Sequence, residues 1–286
     1  MSDLLPNENP AEDSQSPGLS GHSTDNELAG RIRIFDDGPG AEAPTPPLPV
    51  RYPFWGWLDV LLFGLVLVVC VVGAAIATLA ANFAIVAAGA SQYSFSLAQS
   101  AVVMQALGFG PALLVLSRML RARYGRGLRE AVQLAPVERI GIYAGAGLAT
   151  ALMVTILSAV FRLQELEMPM NEFIRSDADL ILIAIAAFTF GPLFEEMIFR
   201  GFLQPVVTKS LGAPVGIFLC AVLFAVLHGP QYGWHWQLLV VITAAGSVFG
   251  YIRWKTSSTT AATIAHSAYN GLLLMGAVIQ RFREIG

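Results

Sequence analysis

The sequence predicts an all-α, polytopic transmembrane helical bundle of about seven to eight spans, preceded by a disordered N-terminal tail. Three observations carry this expectation. Of 286 residues, 55% are hydrophobic and 13% are charged, and mean hydropathy is +0.61; an average soluble domain carries about 25% charged residues. Apolar runs of about twenty residues, the length needed to cross a bilayer, recur from residue 57 onward. The charge is also segregated. Residues 1–50 hold nine acidic residues against Arg31 and Arg33, and the rest of the chain holds eleven acidic against fifteen basic. No basic patch with interleaved aromatics occurs, which argues against nucleic acid as a partner.

Residues 1–50 are rich in Ser, Pro, Gly, Asp and Glu and poor in large apolar side chains. Such a segment cannot offset its ordering entropy and is expected to be disordered. It lacks the basic and apolar regions of a secretory signal and ends in Pro44-Thr45-Pro46-Pro47-Leu48-Pro49, an expected extended spacer. Within it, Ile32-Arg33-Ile34-Phe35 is an isolated apolar stretch that fits a short partner-docking motif. Arg51, Tyr52, Trp55 and Trp57 then read as an interfacial belt at the first span. Seven spans follow, at about 57–84, 97–117, 140–161, 179–209, 214–228, 236–254 and 259–280. The fifth is short. Accordingly, residues 51–178 read as accessory membrane helices and 179–286 as the functional core. Cys70 and Cys220 fall inside apolar runs, where a cysteine serves as a small packing residue.

Orientation follows from arginine. The loop after the second span carries Arg118, Arg121, Arg123, Arg126, Arg129 and Arg139 against two glutamates. The positive-inside rule makes that loop cytoplasmic and places the N-terminus on the same side, with the plasma membrane as the expected location. The loop at 162–179 is acidic, as an outer loop can be.

Three polar pairs interrupt the apolar runs of the core. The first is Glu195-Glu196 with Arg200. An ionisable group at mid-membrane costs at least about 2.5–3.5 kcal/mol, so its default explanation is function. Glu196 and Arg200 are four residues apart and share a helix face, whereas Glu195 lies about 100° around the helix and lacks that partner. Pro192 suits a first helical position, so a helix is expected to restart there, with both carboxylates near its start. The second pair is Phe224 and His228. The Gly212-Ala213-Pro214 turn makes the fourth and fifth spans a hairpin that brings Glu195 and His228 to one level, so the fifth span need reach only that far. The third is His266 and Asn270, again one helix face, for which interhelical glue is the alternative, less favoured beside the other two pairs.

The ordered set Glu-Glu-x-x-x-Arg, Phe-x-x-x-His and His-x-x-x-Asn, with Phe199-Arg200-Gly201-Phe202-Leu203-Gln204 beside the first, resembles the CAAX prenyl protease and bacteriocin-processing family of intramembrane proteases. The resemblance covers about residues 180–280. It implies an endopeptidase acting on a membrane-associated peptide, such as a prenylated CAAX protein or a leader peptide, within the lipid bilayer. Glu195 would then activate a water also held by His228. His266 and Asn270 would donate to the oxyanion, and Glu196 with Arg200 would orient Glu195. The cofactor question stays open between none and a single zinc ion on Glu195, His228 and His266; zinc would leave Glu196 as the spare base. Three other uses of the same residues remain: a haem held by His228 and His266, a proton or ion relay, and a non-catalytic scaffold.

Overall fold

The computed structural model describes residues 52–166 and 172–285, and among these residues every regular element is helical. The expected disordered tail and its docking motif lie outside the described residues. In chain order the helices are α1 (Trp57–Ala87), α2 (Leu97–Tyr124), the short α3 (Leu128–Ala131), α4 (Ile140–Val160), α5 (Asp177–Phe188), α6 (Phe190–Glu196), α7 (Gln204–Leu211), α8 (Ala213–Leu227), α9 (Trp236–Thr256) and α10 (Thr259–Ile285). Between α6 and α7, Met197–Leu203 winds as a π-turn, so the fourth expected span is a broken rod.

Five stretches among the described residues are long and apolar enough to cross a membrane: α1, α2, α4, the α5–α7 rod and α9. Helix α8 is apolar but has 15 residues, and at about 1.5 Å per residue it falls short of a bilayer core of about 30 Å. Leu58, Leu61, Leu65, Val69, Ile76 and Phe83 of α1 are all exposed. An exposed apolar stripe on a helix fits contact with lipid, because the backbone is already satisfied internally.

Local sequence signals set the helix ends. Ser96 accepts from the Gln99 N–H, with Gln99 reaching back to the Ser96 N–H, and α2 ends at Gly125 in the left-handed region (φ 69°). Ser176 and Asp179 form the same reciprocal cap at α5.

Hydrogen bonds between elements sort the bundle into two ends. At the arginine-rich end, Asp59 near the start of α1 accepts from the Tyr124 hydroxyl at 2.7 Å and pairs with Arg123 at 3.2 Å. Lys209 Nζ donates to the Pro53 carbonyl, and Trp57 donates to Ser210. Arg253 donates to Thr259 Oγ1 and to the Tyr52 hydroxyl, while Thr259 Oγ1 donates to the Val132 carbonyl. At the far end Asn82 meets Ser100, Ser96 donates to Asp179 and Phe161 packs edge-on against Trp236. Helices α4 and α10 therefore run away from the arginine-rich end and α5 runs toward it, as the alternating span order requires.

One belt residue is misplaced by its sequence context. Trp57 is exposed, but Trp55 is buried. Its ring stacks on Phe202 at 5.3 Å and its indole N–H donates to the Phe202 carbonyl at 3.0 Å. An indole whose single donor finds a buried acceptor no longer needs the wet interface.

Candidate functional site

The site begins at the break in the fourth rod. Thr189 (φ −111°, ψ −91°) interrupts the helix, which restarts at Phe190 rather than at Pro192. Pro192 is then the third residue of α6, where its missing N–H costs no intrahelical bond. The two glutamates consequently close this seven-residue helix instead of opening it, so the favourable helix-start field expected for them does not apply. Their stabilisation must come from neighbours.

Glu196 finds those neighbours. Its Oε1 lies 3.2 Å from Arg200 Nη1 and 3.0 Å from His266 Nδ1. Both Glu196 and Arg200 are 0% exposed. Arg200 Nη2 donates to the Gly246 carbonyl at 3.0 Å, and its guanidinium sits over the Phe224 ring at 4.5 Å. Four residues on, Gln204 Nε2 donates to the Gly250 carbonyl at 2.9 Å. Donors four apart thus clasp carbonyls four apart on α9. Glycine leaves room for both side chains there: a Cβ on Gly246 would lie 3.0 Å from Arg200 Nη2, and one on Gly250 would lie 2.8 Å from Gln204 Oε1.

The hairpin register matches the expectation from Gly212. Thr208 abuts Gly216, four residues either side of Gly212, and Arg200 meets Phe224, twelve residues either side. His228 follows one turn after Phe224, at the level of the glutamates. Its Nδ1 contacts the Phe224 carbonyl at 2.8 Å, so this nitrogen carries the proton and Nε2 is left as the acceptor.

His266 stands between the two carboxylates. Besides its Nδ1 contact with Glu196, its Nε2 faces Glu195 Oε2 at 3.9 Å, beyond hydrogen-bond length. Phe249 stacks on the imidazole at 4.7 Å and 18°. Helix α4 presses α10 from behind: a Cβ on Gly147 would fall 2.0 Å from the Ala265 carbonyl oxygen. Asn270 donates from Nδ2 to the Ala187 carbonyl at 2.7 Å. It thereby props the helix break, and its second amide N–H is left over.

Sequence reasoning placed Gln204 beside the first motif without a role, and missed Gly246, Gly250 and Phe249. The glycine spacing on α9, matching the Arg200 and Gln204 spacing, could have pointed to the two glycines; no sequence signal points to Phe249. It also missed Tyr232, whose half-buried ring lies parallel to His228 at 6.4 Å. Among the described residues, no three His, Cys, Asp or Glu side chains are arranged to hold a metal ion. Of the proposed zinc set of Glu195, His228 and His266, His266 has its Nδ1 on Glu196 and its Nε2 facing Glu195 across 3.9 Å.

Residues 177–272 match the family model described as type II CAAX prenyl endopeptidase Rce1-like. No curated protein and no solved structure matches the chain.

Proposed function

Taking residues 177–272 as an Rce1-like domain of the type II CAAX prenyl endopeptidases, we propose that this integral membrane protein hydrolyses a peptide bond of a membrane-associated substrate, with Glu195 as general base. One contrast supports the reading above others. Two adjacent carboxylates differ in reach: the Glu196 side chain is 0% exposed and Glu195 is 17% exposed. A group locked by Arg200 and His266 cannot meet a substrate, whereas its neighbour can.

Glu195 takes a proton from water as the oxygen attacks the scissile carbonyl carbon. The tetrahedral oxyanion collapses, the C–N bond breaks and the proton passes from Glu195 to the leaving amine. His228, with Nδ1–H fixed on Phe224, offers Nε2 to hold the attacking water. The spare Asn270 N–H serves the oxyanion. His266 can join it only as the doubly protonated ring, for which Glu196 is the counter-charge. Donors of this kind are each worth about 10²–10³ in kcat.

Membrane N-terminal proteomics on strains carrying wild type, Glu195→Gln or Glu196→Gln tests the assignment. General-base loss should lower cleavage by about 10²–10⁴ in Glu195→Gln without changing protein level. Glu196→Gln should lower both activity and folded yield. Unimpaired cleavage by Glu195→Gln overturns the assignment.

A further inference from the structure

We propose that the site is reached from the membrane face opposite the arginine-rich loop, so that the substrate is a peptide segment displayed on the extracytoplasmic side. This rests on the endopeptidase reading and adds the side of access and the class of substrate.

Burial is graded along the site. On the way from Glu195 toward the arginine-rich end, Glu196 and Arg200 are 0% exposed, Phe202 1% and Gln204 2%. The facing helices continue the seal, with Phe249 at 1%, Arg253 at 4%, and Thr259, Ala261, Ala262 and Ala265 at 0%. A cleft of about 1080 Å³ does open at that end, lined by Arg129, Arg139, Tyr143 and Ser257. It stops at Ser258, and the sealed first turns of α10 separate it from His266. Neither water nor a peptide has a route to Glu195 from there.

In the other direction the groups are half-open. Glu195, His228, Tyr232 and Asn270 are each partly exposed. The cause is the short α8, which starts at the arginine-rich end beside Ser210 and stops at the level of the glutamates. Among the described residues, no continuation of that helix fills the layer between His228 and the far face. The chain there makes a 3₁₀ turn at Gly229–Tyr232, where the exposed Trp234 covers Gly229 before α9 begins at Trp236. The gap above α8 is the mouth.

The arginine-rich end has a side of its own. Arg118, Arg121, Arg126, Arg129, Arg139 and Lys255 all lie at that end, and arginine and lysine in short loops are retained in the cytoplasm. The mouth then faces outward. A prenylated C-terminus lying in the cytoplasmic leaflet does not reach it, whereas an exported precursor or the outer segment of a membrane protein does.

Thiol labelling decides the side without any substrate. In a background with Cys70→Ser and Cys220→Ala, single variants Glu195→Cys, Trp234→Cys, Gln204→Cys and Arg139→Cys are treated with a membrane-impermeant anionic methanethiosulfonate in sealed right-side-out and inside-out vesicles. Glu195→Cys and Trp234→Cys should label at least tenfold faster in right-side-out vesicles, Arg139→Cys at least tenfold faster in inside-out ones, and Gln204→Cys in neither. Trp234→Cys keeps the test valid if Glu195→Cys does not fold. Faster labelling of the mouth variants in inside-out vesicles overturns the proposal, as does a mouth closed to both faces. Labelling does not require cleavage. A reversed side therefore leaves the Glu195→Gln result standing, and an active Glu195→Gln leaves the labelled side standing.

Discussion

Glu196 Oε1 serves two partners at once, the Arg200 guanidinium at 3.2 Å and the His266 ring at 3.0 Å. Removing one member of such a buried set leaves an uncompensated charge, at a cost of about 3–5 kcal/mol. Arg200→Leu should therefore lower thermal stability in detergent by that order, and a loss below about 1 kcal/mol would contradict the hub. Arg200→Lys retains the charge but not the planar fork that reaches both Glu196 and the Gly246 carbonyl. It should recover part of the stability and little of the activity. At this scale the sequence was most legible for the Glu196–Arg200 pair, because i,i+4 spacing is a property of one helix. The His266 bridge was illegible, since it joins residues 70 apart through the packing of two helices. The Asn270 contact with Ala187 depends in turn on the break at Thr189, which no residue pattern announces.

Helix contacts explain which glycines matter. Gly147 lies against the Ala265 carbonyl, whereas Gly145, two residues earlier on the same helix, has nothing within 4 Å of an added Cβ. Gly145→Ala should be neutral or stabilising by about 0.5–1 kcal/mol. Gly147→Ala should displace α10 and cost about 1–3 kcal/mol from overpacking. Equal unfolding temperatures for the two variants would show that α4 does not set the position of His266. A second test uses Gly250→Ala, whose Cβ meets Gln204 Oε1; pairing it with Gln204→Ala should restore stability lost by the single glycine change. The periods and lengths of the helices were legible, because hydropathy is summed over many residues. The π-turn at Met197–Leu203 was not, because its width is chosen by what Arg200, Phe202 and Gln204 can reach on neighbouring elements. π-turns of this kind recur at functional sites.

For the whole molecule, residues Pro49–Gly286 form one unit, so the helices before residue 177 pack directly on those that carry the polar groups. That arrangement was legible only as extra spans, since nothing in residues 51–178 carries chemistry of its own. A glutamate base working without a metal predicts that purified protein stripped with a chelator keeps its cleavage activity, measured on the substrate identified by proteomics. Activity that vanishes on stripping and returns with zinc would contradict this. Synthesis imposes a further demand on the buried Glu196–Arg200 pair. The rod that carries it emerges before the Gly246 carbonyl, 46 residues downstream of Arg200, and before His266, 70 residues downstream of Glu196. During that interval the ribosome has supplied the charges without two of their three partners. A nascent chain truncated before α9 should therefore partition poorly from the translocon into lipid and be held for degradation, whereas one extended through α10 integrates.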